Sequence, residues 1–160
     1  NTGVDHAGGE IGQPTTFFVG AALNLCPNDP DREIRTLRKK LDAGADFFLT
    51  QPIFEVDRAR EFLAYYAERY GELTTPLLAG VLPLVTDRHA RFLHNEVPGI
   101  VIPQEIQDRM ANAGEDMLGE GKRIAVELIR EIRKTFQGVY IIPSFNRFDM
   151  IAEIIEAAKK

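Results

Sequence analysis

The sequence predicts an α/β fold built on a parallel sheet, and three observations predict it. Four short apolar runs, at 17–22, 47–51, 77–82 and 139–142, are continuous instead of alternating, as expected for strands covered on one or both faces. Between them lie helical patterns with identifiable starts and stops. The first three runs begin at 17, 47 and 77, a step of 30 residues that fits one strand, one helix and two loops.

Taken in order, residues 1–16 are polar and glycine-rich with neither helical nor strand period, and read as an irregular lead-in. After the first strand, Asp29 and Pro30 form an N-cap and first helical residue; Ile34, Leu37 and Leu41 give the inner face and Gly44 the stop. The next helix carries Val56, Ala59, Leu63, Tyr66 and Tyr70 on one stripe. Thr86 caps a short helix containing Ala90 and Leu93. Pro103 opens a polar helix to about 112, which accounts for a last crossover of 62 residues between strand starts. Leu118, Ala125, Leu128, Ile132 and Phe136 mark a long helix, and Ile151, Ile154, Ile155 and Ala158 a final one. Four βα units make either a small open sheet, which the length of 160 residues favours, or half of an eight-stranded barrel. The strand ends favour the barrel: Asn24, Gln51, Pro83 and the group Ser144, Asn146 and Arg147 resemble a catalytic rim. No GxGxxG or GxxxxGK[ST] follows any strand, so the common nucleotide-binding fingerprints are missing.

Composition narrows the function classes. With 19 Lys+Arg against 24 Asp+Glu the formal charge is −5, and no basic run offers a track for nucleic-acid phosphates. Cys26 is the only cysteine, and no Cys/His pair has zinc spacing, so neither a disulfide framework nor a metal site is expected. No apolar run approaches the ~20 residues that cross a bilayer, and no leader pattern opens the chain. The expectation is a cytoplasmic protein with no membrane or nucleic-acid partner. Asn1 is not an initiator Met, and the chain reads as excised from a longer one.

Several residues are suited to chemistry, each with a plain structural alternative. Gln51 ends the second strand in Thr50-Gln51-Pro52, where its amide fits either a heterocycle edge or a loop-fixing hydrogen bond. Arg35, Arg38, Lys39 and Lys40 make a basic helix that fits a diphosphate or simply solvent. Arg147, between Phe145 and Phe148, suits a carboxylate or flat aromatic ligand, or an ion pair with Asp149 or Glu153. His89 and His94 are five apart and do not share a helix face. Cys26 has no visible base and reads as a buried thiol.

The ordered combination of Lys40 through Phe54 (KxDAGADFFxTQPxF), Gly80-Val81-Leu82-Pro83, Val97-Pro98-Gly99-Ile100 with Ile102-Pro103, Gly138-Val139-Tyr140 and Asn146-Arg147-Phe148 resembles the methylenetetrahydrofolate reductase family. The lead-in resembles the equivalent stretch of longer bacterial versions, some fused behind a homocysteine methyltransferase module. The resemblance implies a TIM-barrel type (β/α)8 fold, of which residues 17–160 are the C-terminal half. It implies reduction of 5,10-methylenetetrahydrofolate to 5-methyltetrahydrofolate in one-carbon and methionine metabolism, with FAD as cofactor and NAD(P)H as co-substrate. Carried over by position, Glu33, Thr36, Lys39 and Lys40 match FAD ribose and diphosphate contacts. Gln51, His89 and Arg147 match folate contacts. Phe92 or Leu93 falls near an aromatic that stacks on folate or nicotinamide cofactor in the family, with Leu93 at that position in the ungapped alignment, and Leu23 falls where some relatives have a flavin-contacting tyrosine. The family's catalytic glutamate and a flavin-tuning aspartate belong to the N-terminal half, so no catalytic residue is expected in this chain and the isolated half is expected to be inactive. A half-barrel leaves two strand edges and an apolar face to be covered by that N-terminal half, by a partner chain or by homo-oligomerisation. The alternative is a non-catalytic half-barrel subunit that holds flavin or folate with a partner.

Overall fold

A computed structural model describes residues 2–159; Asn1 of the predicted lead-in and Lys160 of the predicted half-barrel lie outside the described residues. Four strands, β1 (Gly20–Leu23), β2 (Phe47–Pro52), β3 (Leu77–Val81) and β4 (Gly138–Ile141), pair in parallel in the order of the chain. Helices α1 (Pro30–Asp42), α2 (Val56–Tyr70), α3 (Asp87–Glu96), α4 (Gln104–Asn112), α5 (Met117–Ile132) and α6 (Phe148–Lys159) fill the connections. Short 3₁₀ turns lie at Gly114–Asp116 and Ser144–Asn146.

Strictly sequential parallel strand order, with the right-handed crossovers that such units take, puts successive helices on one face of the sheet, an arrangement consistent with part of a (β/α) barrel. The main core is built accordingly. Leu23, Phe48, Ala79 and Val81 meet Ile34 and Leu37 of α1, Ala59, Phe62 and Tyr66 of α2, Ala125, Ile129 and Ile132 of α5, and Met150 and Ile154 of α6. A second cluster, Phe54, Leu84, Ala90, Leu93, Ile100, Ile102, Met110 and Ile124, seats α3 and α4. The opposite face carries the alternate residues, in rows Gly20–Phe47, Ala22–Leu49–Leu78–Gly138 and Gly80–Tyr140. No helix among the described residues covers this face, and Leu49 in the middle of β2 remains exposed. Gly20 is required beside Phe47: a Cβ there would lie 2.3 Å from the ring.

The predicted caps form. The Asp29 side chain accepts from Arg32 N at 2.9 Å and that of Thr86 from His89 N at 3.0 Å, satisfying orphan donors of α1 and α3. Gly44 follows the end of α1 at φ 87°.

The predicted first strand is displaced. Residues 17–19 lie outside the strand; Phe17 and Phe18 are each 72% exposed, and the strand begins at Gly20 and ends at Leu23. Phe18 stacks on Phe47 with ring centroids 5.1 Å apart, so the apolar run starts beside the open face instead of in the sheet. Val19 is tied to Asp46 instead, its N–H donating to Asp46 Oδ2 at 2.7 Å. In α2 the stripe runs through Phe62, while Tyr70 is exposed and packs beside Tyr66. In α5, Leu118 and Leu128 are only partly buried, and Ile124, Val126 and Ile129 are buried with Ala125 and Ile132, because the helix lies between both clusters. In α6, Met150 is buried and Ile155 exposed. Among the described residues of the lead-in, an isolated antiparallel bridge joins Val4 and Glu10 in an otherwise irregular stretch.

Candidate functional site

Polar side chains gather at the C-terminal ends of the strands, in two groups. The first lies along β1, an edge strand. Leaving β1, Asn24 donates its N–H to Glu33 Oε1 at 3.0 Å and accepts from Cys26 N at 2.9 Å, so the strand exit is bolted to α1. Lys40 Nζ donates to the Ala22 carbonyl at 2.5 Å, and Thr36 Oγ1 donates to Arg32 O at 3.1 Å. Glu33, Thr36 and Lys40 are spaced i, i+3, i+7 and share one stripe of α1. Lys39 is a helical step away from that stripe and exposed, so it does not join the other three. The predicted basic face divides further: Arg38 reaches Tyr66 Oη at 3.4 Å, sits 5.2 Å over the Tyr70 ring and pairs with Asp42 at 3.5 Å. Beside this stripe a groove of about 680 Å³ runs between the β1–α1 segment and residues 94–101, with Glu33 and Thr36 on one wall and Pro98 and Gly99 on the other.

The second group spans β2, β3 and β4. Pro52 has no N–H to offer, and the register between β2 and β3 shifts between Leu49 and Pro52. Side chains satisfy the interrupted ladder: buried Thr50 accepts from Gly80 N at 2.9 Å through Oγ1, and Tyr140 Oη donates to the Thr50 carbonyl at 2.5 Å. A Cβ on Gly80 would lie 2.9 Å from Tyr140 Oη and 3.0 Å from that carbonyl, so only glycine admits the tyrosine. Burial pushes the Tyr140 phenol up, keeping it a donor at neutral pH. The backbone of Gln51 is held because Thr50 Oγ1 also donates to its carbonyl at 2.8 Å, and its exposed side chain stands on the uncovered face.

Past β4, Ser144 Oγ donates to the Pro83 carbonyl at 2.7 Å, pinning the end of β4 to the chain leaving β3. Phe145 and Asn146 then take φ values of 52° and 58°, and Arg147 N closes the turn onto Ser144 O at 3.1 Å. Arg147 forks onto Asp149, with Nε to Oδ1 at 3.0 Å and Nη2 to Oδ2 at 2.7 Å, and holds that carboxyl down at about 2. The Phe145 ring meets His89 of α3 edge-on, with centroids 5.0 Å apart. His89 Nδ1 is buried with no hydrogen-bond partner among the described residues, and burial lowers the pKa of the ring, which is neutral at pH 7.

Other sequence candidates have structural roles. His94 Nδ1 accepts from Ile102 N at 3.1 Å, and no cluster of metal-ligating side chains occurs among the described residues. Cys26 is buried, its thiol pushed up to about 11 by burial and by Glu55, so it is no thiolate nucleophile. Leu23 and Leu93 are both buried in core clusters and line neither group. The Thr50–Gly80–Tyr140 arrangement and the left-handed turn at Phe145 and Asn146 are not site features that the sequence reading provides, although it places Ser144, Asn146 and Arg147 at the rim. Their signals are the glycine and tyrosine of the GVLP and GVY segments and the unusual left-handed pair, of which only the former is written in the residues.

A family model described as methylenetetrahydrofolate reductase matches residues 22–159. Methylenetetrahydrofolate reductase 1 of Schizosaccharomyces pombe is 33% identical over 125 residues, covering 72% of this chain and 19% of that protein. Methylenetetrahydrofolate reductase 2 of Saccharomyces cerevisiae is 28% identical over 127 residues, covering 72% and 20%. The chain thus spans about a fifth of the length of these curated relatives. Among solved structures, an uncharacterized protein from Clostridium thermocellum that binds two copies of 5-methyl-5,6,7,8-tetrahydrofolic acid superimposes with a TM-score of 0.57 at 20% identity, covering 89% of this chain and 53% of that one, a likeness of fold. No helix among the described residues is long and apolar enough to cross a membrane.

Proposed function

Since the chain belongs to the methylenetetrahydrofolate reductase family, we propose that it is the C-terminal half of a flavin-binding (β/α)8 barrel that reduces 5,10-methylenetetrahydrofolate with NAD(P)H. The observation that carries this reading is the stripe of Glu33, Thr36 and Lys40 along the edge strand β1. One carboxylate, one hydroxyl and one ammonium in line suit a ribose diol followed by a diphosphate. The adjoining groove of about 680 Å³ is within the size range of cofactor pockets, so the residues present fit FAD. Lys39, off the stripe, contributes its charge and no direct contact.

In this reading bound FAD would supply the hydride relay between NAD(P)H and the folate. This chain's residues hold and orient. Lys40 neutralises diphosphate charge at the β1 edge, and Glu33 engages the ribose through the oxygen not used by Asn24. Gln51, fixed at its backbone by Thr50, offers its amide to the folate ring edge. Arg147, oriented by Asp149, faces the carboxylates of the folate tail, and neutral His89 lines the same side. In this reading the proton that accompanies ring opening is supplied from outside this chain; two of its rim carboxylates, Glu33 and Asp149, accept from Asn24 N and from Arg147. That same engagement favours the second reading, a non-catalytic half-barrel that binds flavin or folate with a partner.

The test is the visible spectrum of the longer protein from which this chain derives. A flavin band that bleaches with NAD(P)H and recovers on adding methylenetetrahydrofolate supports the reductase; a band that does not respond supports the binding subunit, and no flavin removes the reductase and leaves a binding or assembly subunit. In that protein Gln51→Ala raises the folate KM while NAD(P)H-driven bleaching stays intact. Equal loss of both half-reactions assigns Gln51 a structural role.

A further inference from the structure

The turn after β4 places a large apolar ring where folding alone gives it little reason to be. Phe145 is 71% exposed, and it holds a left-handed conformation that a non-glycine residue adopts at a cost. Asn146 repeats that conformation, and asparagine tolerates it better than phenylalanine does. The turn is clamped on both sides, by Ser144 Oγ on the Pro83 carbonyl at 2.7 Å and by the Arg147 N–H on Ser144 O at 3.1 Å. The ring is therefore presented on a fixed mount. One edge rests on His89, at 5.0 Å and 64°, which leaves most of the ring open to a ligand. Beside it are a forked guanidinium, Arg147, and the buried unpartnered Nδ1 of His89.

We propose that Phe145 is a stacking platform for the planar heterocycle of a soluble substrate, and that it sets the affinity for that substrate. The proposal rests on the reductase reading for the identity of the heterocycle, which belongs to either the folate or the nicotinamide substrate. The pyrimidine ring of the folate and the nicotinamide ring are both flat, and each leads into charged groups that a neighbouring arginine attracts. Leu93 cannot serve in its place, because it is 6% exposed inside the second core cluster. Phe92 is exposed, yet on α3 it lies away from the buried Ala90 and Leu93 face and has no ring contact with His89.

The experiment uses the longer protein with Phe145→Gly, Phe145→Leu, Phe145→Tyr and Phe92→Ala. Stacking of one ring corresponds to a change of roughly tenfold or more in affinity. Phe145→Gly is the decisive variant, since glycine accepts φ 52° without strain and keeps the turn while deleting the ring. The expected result is a KM raised about tenfold for one substrate by Phe145→Gly and Phe145→Leu, wild-type KM in Phe145→Tyr, and unchanged flavin content and Tm throughout. A rise confined to the folate KM identifies the folate as the stacked ligand, and a rise confined to the NAD(P)H KM identifies the nicotinamide. Wild-type turnover with both KM values unchanged in Phe145→Gly overturns the platform and leaves the reductase reading standing, as does an equal rise in Phe92→Ala. A wild-type protein that neither holds flavin nor turns over overturns both.

Discussion

Lys40 and Lys39 are neighbours in sequence, and their different surroundings show what a linear motif hides. The Lys40 ammonium is fixed against the Ala22 carbonyl on the stripe with Glu33 and Thr36, whereas Lys39 points off that stripe into solvent. A hydrogen bond to a charged group contributes about 1.5–3 kcal/mol, so Lys40→Ala is expected to weaken FAD binding by about tenfold or more, and Lys39→Ala by much less. Flavin retained after desalting measures both; equal losses would place both lysines in one diffuse charge field. Arg147 and Asp149 yield a pH prediction. The folded Asp149 carboxyl is held at about 2, below its ordinary 3.8, chiefly by the hydrogen bonds from Arg147. A depressed carboxyl contributes stability that is present above 3.8 and is lost as pH falls through about 2, so the fork is intact throughout the neutral and mildly acidic range. A carboxyl titration followed by NMR is expected to show Asp149 near that low value and, in Arg147→Ala, back towards 3.8. Asp149 titrating normally in the wild type would mean that the fork does not form in solution. Gln51 and the α1 residues were accessible from the sequence because their segment resembles a family motif. Phe145 was legible only as a ring beside Arg147; its left-handed backbone was not, because nothing in Ser-Phe-Asn-Arg requires two left-handed residues.

At the scale of elements, helix starts were the most legible features, since a cap is a local event between residues three apart. Replacing Asp29 or Thr86 by alanine removes the acceptor for Arg32 N or His89 N and is expected to cost about 1 kcal/mol each in urea unfolding. The two sites are on separate helices, so the costs should add; no change in either would mean that solvent replaces the cap. The onset of β1 was less legible for a physical reason. Phe17 and Phe18 extend the apolar run, and a run of apolar residues reads the same whether it pairs in a sheet or continues beside an uncovered face. The break in β2 was half legible. Pro52 announces that a donor is missing, but the side chains that repair the ladder, Thr50 from within and Tyr140 from two strands away, depend on register.

The molecule as a whole is an arc. Among the described residues, sequential parallel strands with helices packed on one side leave the other face, with Ala22, Leu49, Leu78 and Tyr140 in its rows, without a covering layer, and put β1 and β4 at the edges of the sheet. The thirty-residue step made the βα alternation readable, while the choice between open sheet and barrel arc depended on which way every crossover turns, a property of the folded chain and not of any segment. The central claim is that this arc provides half of a flavin site and that the other half lies outside it. Titrating FAD against the chain alone and against the longer protein, with flavin fluorescence as the readout, tests this most directly. The account predicts saturable binding by the longer protein that is weakened by Lys40→Ala, and little or no binding by the chain alone; equally tight binding by the chain alone, or none by either, would contradict it.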